Sequence, residues 1–251
     1  MSSSRAMGHV LASLVLVLGA CTLWRATAAA AVQQGLVTVR GAVSVTTKGG
    51  KVADRSSVVV WLKSVTTFGG GTAVATPTEQ RFKVVQQRKR FDPHLLVVPV
   101  GSVVEFPNLD PFFHNVFSLF DGKRFDLGLY EAGTSRSVTF PRAGVCYVFC
   151  NIHPDMSAVI VAVDSSHHAV SSRSGEFSIP NVPPGRYQLS VWHERFTPAA
   201  PAEYPREVII SAESSSLDAV ELVDAGQALT PHKNKFGHDY APPGPTSPLY
   251  H

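Results

Sequence analysis

The sequence predicts an all-β protein in which two β-sandwiches follow an N-terminal export segment. Charged residues make up only 16% of the 251-residue chain, whereas hydrophobic residues make up 44%. Many of the hydrophobic residues are Val, Phe and Tyr set between Gly and Pro, a composition typical of short strands and turns. This composition favours neither a disordered chain nor a bundle of membrane helices. The net charge of +3 is small and spread along the chain, so we expect no nucleic-acid partner.

The first 31 residues have the pattern of a secretion signal peptide. An apolar run from Val10 to Trp24 is followed by small residues at 26–31, which suit a signal peptidase. The run is shorter than the ~20 apolar residues of a membrane-spanning helix, which favours cleavage over an uncleaved anchor. We therefore expect an extracytoplasmic protein, periplasmic or secreted. An alternative remains, because residues 18–21 resemble a bacterial lipoprotein signal in which Cys21 would be lipidated and would attach the protein to a membrane.

Two cysteines remain after the signal, and their spacing favours a metal over a disulfide. Cys146 and Cys150 lie four residues apart in a predicted strand. Such a strand separates their Cα atoms by roughly 13 Å, whereas a disulfide needs less than about 7 Å. Exported proteins normally use their cysteines in disulfides, so an unpaired thiol indicates another use. Metal binding is the leading one.

The chain after the signal divides into four regions. Residues 32–77 hold N-terminal strands, residues 78–165 form the first sandwich, residues 166–225 form a small β module, and residues 226–251 form a disordered tail rich in Pro, Gly, Ser and His. Alternating apolar residues predict the main strands at Val37–Val45, Ser57–Leu62, Leu95–Val100, Val103–Phe106, Val138–Phe140, Val145–Phe149, Gly175–Ile179, Arg186–Trp192 and Arg206–Ser211.

The N-terminal strands are predicted to complete the small module, so that the first sandwich is inserted into it. This hypothesis requires strands between Val37 and Leu62 to pair with strands between Phe177 and Trp192. In the tail we expect His232, His238 and His251 to be solvated side chains rather than metal ligands.

The most informative stretch ends the strand before Cys150 and continues into a short loop. Cys150, His153 and Met156 supply a thiolate, an imidazole and a thioether within seven residues. A thioether is a poor ligand for zinc and a good one for copper, so this soft set favours copper. Three ligands from one loop leave a fourth to be found elsewhere. A type 1 copper site has two imidazoles and one thiolate in a plane, with a distant axial methionine.

The second imidazole is predicted to be that of His114. It follows a strand and an Asn-Leu-Asp-Pro turn, and aromatic residues flank it. Aromatic walls exclude water from a metal and limit movement of its ligands. The sequence therefore predicts one copper ion bound by His114, Cys150, His153 and Met156, and a single-electron transfer function.

These residues resemble the cupredoxin family, the blue copper proteins of the plastocyanin and amicyanin type. The resemblance covers roughly residues 35–223 and is closest to plastocyanin-like proteins associated with methylamine utilisation. It depends on the short Cys-x-x-His-x-x-Met loop and on the following further segments: Phe91-Asp92-Pro93, the Val-Gly-x-x-Val-x-Phe-Pro-Asn-x-Asp run from Val100 to Asp110, His114 to Ser118, and Phe125 to Tyr130. In those proteins the Greek-key cupredoxin sandwich is accompanied by a carboxypeptidase-regulatory-like β module, which Gly175–Trp192 resembles.

The resemblance implies roles for the site residues. His114, Cys150, His153 and Met156 would be the copper ligands, and Asn115 would support them through an amide that holds the cysteine loop. His153 would present its ring edge at the surface as the electron port, with Ile152 and Pro154 as an apolar docking rim. The partner would be a redox protein, and the chain is expected to act as a monomer.

Three alternatives remain open. A binuclear purple copper centre has a loop resembling Gly-x-Cys-x-x-x-Cys-x-x-x-His-x-x-Met, which Cys146 and Cys150 match in part, but the interval to His153 is one residue short. In the mononuclear interpretation Cys146 is a small thiol packed inward beside Val148. A second alternative is a copper carrier without redox cycling. The third is a copper enzyme, which would need a second copper site for its substrate. It is disfavoured because the sequence lacks the His-x-His clusters of such sites, and because His193, the one stray candidate, is expected to be packed or hydrogen-bonded.

Overall fold

The computed structural model describes residues 35–47, 49–51, 54–67, 80–119, 122–198, 204–224 and 232–240. The predicted signal peptide, Cys21 and His251 lie outside these ranges. The described residues form no helix that is long and apolar enough to cross a membrane.

The prediction of an all-β fold is confirmed, since the regular elements of the described residues are β-strands. In chain order they are β1 (Val37–Thr47), β2 (Gly50–Lys51), β3 (Val59–Thr67), β4 (Arg81–Lys83), β5 (Val85–Gln87), β6 (Arg90–Asp92), β7 (Leu95–Pro99), β8 (Val103–Pro107), β9 (His114–Ser118), β10 (Phe125–Tyr130), β11 (Ser135–Thr139), β12 (Gly144–Phe149), β13 (Ser157–Val163), β14 (His168–Val170), β15 (Glu176–Val182), β16 (Gly185–Trp192), β17 (Phe196–Pro198), β18 (Arg206–Ile210) and β19 (Val220–Asp224).

The first sandwich packs a five-stranded sheet against a three-stranded one. The larger sheet has the order β10-β9-β12-β13-β7 and the smaller has the order β11-β8-β4. Within them β7 runs parallel to β13 and β4 runs parallel to β8. The shared core is formed by Val84, Phe91, Val98, Val104, Phe106, Val116, Tyr130, Val138, Phe140, Cys146, Val148, Cys150, Met156, Ala158, Ile160 and Ala162.

The second sandwich is assembled from both sides of the first in the sequence. One sheet has the order β15-β1-β19-β17, with β2 attached to β1, and the other has the order β14-β3-β16-β18. Val39 of β1 is opposite Ile179 of β15, and Leu62 of β3 is opposite Leu189 of β16. These pairings are the ones that the insertion hypothesis requires.

Strand β13 explains how the two sandwiches meet. Its alternate residues Ala158, Ile160 and Ala162 face the core of the first sandwich, while Val159 and Val161 belong to a separate apolar cluster. That cluster also contains Val59, Val97 and Val163, with Trp61, Leu95, Val145, Tyr147 and Trp192 packed against it. A strand buried on both faces is expected to be apolar throughout, as β13 is.

Candidate metal centre

The centre forms where two neighbouring strands of the larger sheet end. His114 is the first residue of β9, and Cys150 directly follows β12, which pairs with β9 at Phe149 and Phe117. All five residues of β9 are buried, so the ring of His114 lies inside the sandwich rather than on its surface. Sheet pairing therefore brings together two side chains that are 36 residues apart in sequence.

Three ligand atoms converge at this point. The Sγ atom of Cys150 lies 3.8 Å from Nδ1 of His114 and 3.5 Å from Nδ1 of His153, and the three atoms lie within 4.8 Å of one another. A nitrogen and a sulfur that bind one ion at about 2.0–2.3 Å each must lie within about 4.4 Å of each other, so both nitrogen–sulfur separations leave room for a shared ion. The structure thus brings together three of the four predicted ligands.

The loop after Cys150 is closed by its own backbone. The N–H of Cys150 donates to the carbonyl of Met156 over 3.2 Å, and the N–H of Met156 donates to the carbonyl of His153 over 3.2 Å. Met156 is fully buried in the same core cluster as Cys150. The fourth predicted ligand therefore lies on the buried side of the loop.

Burial and hydrogen bonding shift the pKa of the Cys150 thiol in opposite directions. Burial raises the pKa of the Cys150 thiol, while backbone N–H groups of Asn115, Ile152 and His153 donate to the sulfur and lower it. The net pKa is raised, so the thiol is protonated at neutral pH unless a cation takes the proton's place. Three donors aimed at one sulfur favour its anionic form once a cation is present.

The two imidazoles are neutral at pH 7. Burial lowers the pKa of His114, although Asp110 opposes this shift. Burial and the neighbouring His114 lower the pKa of His153 to about 4. A neutral imidazole keeps a lone pair for a metal, so both rings are in the state that a ligand requires.

Asp110, which the sequence placed in the Asn-Leu-Asp-Pro turn, contacts the predicted ligand His114. Its Oδ2 lies 2.8 Å from Nε2 of His114, and the backbone N–H groups of Arg88 and Lys89 donate to its two oxygens over 2.6 and 2.9 Å. Burial alone would raise the pKa of Asp110, but these hydrogen bonds lower it overall. As an anionic acceptor, Asp110 holds the proton of His114 on Nε2 and leaves Nδ1 facing Cys150. In the sequence, the feature that indicated this contact was an Asp four residues before the predicted ligand His114.

Asn115 supports the centre in a different way from the one predicted. Its side-chain amide donates to Oδ1 of Asp126 over 2.7 Å, and its backbone N–H is the group that donates to Cys150. The side chain therefore anchors β9 to β10 instead of holding the cysteine loop. The side chain and the backbone N–H of Asn115 have different partners because side chains on a strand point perpendicular to the backbone groups that face the neighbouring strand.

The imidazole of His153 is not at the surface, in contrast to the predicted electron port. The residue is 5% exposed, and the Phe112 ring lies 5.7 Å from the His153 ring and 5.2 Å from the His114 ring. Pro154 is exposed, but Ile152 packs against the core cluster. Phe112 is the aromatic wall that the sequence predicted beside His114, and it covers both imidazoles.

Cys146 lies apart from the ligand group. It is a free, buried thiol in the core cluster with Val148, as the mononuclear interpretation predicts, and its Sγ lies 3.5 Å from the carbonyl of Lys123. Burial raises the pKa of Cys146 to about 11. In the described part of the chain, the cluster of potential metal ligands contains Cys150 and excludes Cys146.

Part of the predicted disordered tail is ordered against the centre. Residues 232–240 are described, the His232 ring stacks on Phe149 at 4.0 Å, and the Tyr240 hydroxyl donates to the carbonyl of Cys150 over 2.7 Å. The expectation that His232 is solvated is therefore wrong. These contacts could not be predicted from the polar composition of the tail, because each depends on a partner about 80–90 residues away in the sequence.

Two other histidines have structural contacts outside the centre. The ring of His193 stacks on Phe196 at 4.1 Å and its Nδ1 accepts from the backbone of Arg195 and Phe196, which confirms the prediction of a packed, hydrogen-bonded residue. His94 bridges the two sandwiches, since its Nε2 lies 2.9 Å from the carboxylate of Glu194.

Comparisons with known proteins found structural likenesses to copper proteins. A copper-containing nitrite reductase from Thermus scotoductus is 26% identical over 34% of this chain and 23% of its own, with a TM-score of 0.33. A purple cupredoxin from Nitrosopumilus maritimus is 22% identical over 33% of this chain and 99% of its own, with a TM-score of 0.30. A mutant of amicyanin in its Cu(I) form is 21% identical over 41% of this chain and 98% of its own, with a TM-score of 0.32. The sequence matches no protein-family model and no curated protein.

Proposed function

We propose that this protein binds one copper ion through His114, Cys150, His153 and Met156 and carries single electrons. The observation behind the proposal is the convergence of two imidazole nitrogens and one thiol sulfur within 4.8 Å inside a β-sandwich. The ligand chemistry selects copper, because a thiolate and a buried thioether together favour a soft metal. A bound copper ion would supply a Cu(I)/Cu(II) couple and a thiolate-to-metal absorption band.

The surrounding residues are suited to holding such a site rigid. Asp110 orients the His114 ring, three backbone N–H groups point at the Cys150 sulfur, and the loop from Cys150 to Met156 is closed by two backbone hydrogen bonds. Fast electron transfer requires ligands that move little between oxidation states, and ligands held by packed strands meet that requirement.

Burial supports the same function. His114, Cys150 and Met156 are 0% exposed, and His153 is 5% exposed under Phe112. Two neutral imidazoles and one thiolate would give the ion and its ligands a net charge of zero with Cu(I) and +1 with Cu(II), and the buried Asp110 carboxylate behind His114 would offset the positive charge of the oxidised state. We also propose that the protein exchanges electrons with a redox partner protein and that it works outside the cytoplasm. No reaction on a substrate is proposed.

A single ion is favoured over a binuclear centre. Cys146 is directed to the carbonyl of Lys123 and stands outside the ligand group. We also propose that the second sandwich is a carboxypeptidase-regulatory-like module, from the resemblance of Gly175–Trp192, with a structural role beside the copper domain.

The test is a copper titration of the full chain followed by visible and paramagnetic resonance spectra. We expect one copper per chain, an intense visible band in the oxidised form, and reversible bleaching by a one-electron reductant. Cys150→Ser should fold and lose the band, while the matched control Cys146→Ser should keep it. Two coppers per chain would favour the binuclear centre, and copper binding without reversible redox cycling would favour a carrier.

A further inference from the structure

Residues 232–240 contact the centre from outside both sandwiches. The Tyr240 hydroxyl donates to the carbonyl of Cys150 over 2.7 Å, and the backbone N–H of Lys235 donates to Oδ1 of Asn151 over 2.9 Å. The His232 ring stacks on Phe149 with an interplanar angle of 25°. The segment therefore contacts the residue before Cys150, Cys150 itself and the residue after it.

A second connection runs from Lys235 to the sulfur through Asp126 and Asn115. The ammonium of Lys235 lies 2.7 Å from Oδ2 of Asp126, whose Oδ1 accepts from the side-chain amide of Asn115. Asn115 in turn donates its backbone N–H to the Cys150 sulfur. The backbone of Lys235 thus contacts the cysteine loop, and its side chain contacts Asp126 of β10, which is hydrogen-bonded to Asn115 on the strand that carries His114.

The contacts at Cys150 form a chain of hydrogen bonds. Because the Tyr240 hydroxyl gives its proton to the Cys150 carbonyl, its oxygen can accept from Nδ1 of His232, which lies 3.1 Å away. Hydrogen bonds in series polarise and strengthen one another. Tyr240 is half-buried, so the bond to the carbonyl is partly shielded from water.

We infer that residues 232–240 form a strap that positions Cys150 for metal binding, with Tyr240 and Lys235 as positioning residues. The inference deepens the proposed function, and its role in copper chemistry rests on that function. The strap binds the main-chain carbonyl of Cys150 and contacts the side chains of Phe149 and Asn151 on either side of it, and it thereby limits opening of the loop. The electronic environment of the thiolate therefore depends on residues about 90 positions further along the chain.

The first experiment needs no metal. Metal-free full-length protein is treated with iodoacetamide, and peptide mass spectrometry follows the alkylation of Cys150 and Cys146 separately. A buried thiol reacts only when the structure opens, so the rate reports local opening. Tyr240→Phe should raise the Cys150 rate about five- to tenfold, the factor that follows from losing one ordinary hydrogen bond. The Cys146 rate should stay unchanged.

A matched control lies within the same segment. Lys235→Met removes the ammonium that reaches Asp126 and should raise the Cys150 rate. Lys233→Met removes an exposed ammonium that pairs with Asp239 among the described residues, and it should leave the rate unchanged. Unchanged Cys150 rates in Tyr240→Phe and in Lys235→Met would overturn the inference. Equal rises for Cys150 and Cys146 would also overturn it, because they would show general loosening of the fold.

The second experiment uses the copper-loaded protein. Tyr240→Phe should shift the thiolate-to-copper band and the reduction potential, and Lys233→Met should leave both unchanged. A purely structural strap would change stability and leave the spectrum alone, which would overturn the positioning role. If neither the unmodified protein nor its variants bind copper but the alkylation rates change as expected, the proposed function is wrong. The inference that residues 232–240 hold Cys150 in place is then still supported.

Discussion

The Nε2 atom of His114 lies 2.8 Å from Oδ2 of Asp110, and both side chains are buried. The carboxylate also accepts from two backbone N–H groups, so its partners among the described residues are donors. This arrangement orients the imidazole before any metal arrives. Asp110 and Phe112 both lie in the turn between β8 and β9, and Asp110 is the residue of that turn that hydrogen-bonds to His114.

Asp110→Asn is expected to weaken both the fold and the metal site. The amide places an NH2 group against N–H donors, and an unsatisfied buried donor costs about 1–3 kcal/mol. Loss of a carboxylate behind a ligating histidine typically lowers metal affinity about 10–100-fold. Urea unfolding of the metal-free chain and competitive copper titration measure the two effects. Asp155→Asn, which removes an exposed carboxylate from the ligand loop, is the control and should change neither.

The metal-free protein is expected to lose stability as the pH falls from neutral towards 4. The pKa of His153 is lowered from 6.5 to about 4, so the unfolded state binds more protons than the folded state in this window. The stabilisation is full above about pH 6.5, and about 2 kcal/mol of it should be lost by pH 5. Urea unfolding at pH 7 and pH 5 measures the loss, and His153→Gln should reduce it. An equal pH dependence in His153→Gln would contradict the assignment.

Phe112→Ala is expected to open the centre while leaving the fold largely intact. Phe112 is half-buried and its ring covers both His114 and His153, so its removal exposes the imidazoles more than the core. We expect a chelator to remove copper about tenfold faster, with a loss of stability of about 1 kcal/mol. Phe113→Ala is the matched control, because Phe113 is 45% exposed. Equal copper-release rates in the two variants would contradict the role of Phe112.

Glu194→Gln is expected to remove an ion pair between the two sandwiches. The Glu194 hydrogen bond raises the pKa of His94 above its ordinary value. The pair therefore stabilises the fold below the ordinary histidine pKa, and this stabilisation disappears as the pH rises through the raised value. Because His94 is about half exposed, the contribution is at most about 1 kcal/mol after solvent screening. A histidine NMR titration should show the pKa of His94 falling in the variant, and an unchanged value would refute the pairing.

Several features could be predicted from sequence because they depend on local patterns. Cys150, His153 and Met156 lie within one short loop, so their spacing alone indicated a shared site. The alternation of Cys146 and Val148 placed both in the core, as observed. The pairing of the N-terminal strands with β15 and β16 was also anticipated, because neither group of strands forms a complete sandwich alone.

Other features depended on contacts between distant residues. The composition of the segment containing Tyr240 is that of a disordered tail, yet its hydroxyl bonds to the Cys150 carbonyl. The direction of the Asn115 amide depended on the position of Asp126 across the sheet, and the burial of His153 depended on how the turn places Phe112. Composition and spacing carry no information about such partners.

The sequence by itself determined the all-β class and the residue types of the centre, because strand periodicity and ligand chemistry are properties of short segments. The tertiary structure alone decided that His114 meets Cys150 with Nδ1 towards the sulfur, that Asp110 orients its ring, and that residues 232–240 lie against the cysteine loop. The physical reason is that hydrogen-bond partners and burial are set by which segments the fold brings within a few ångströms of each other.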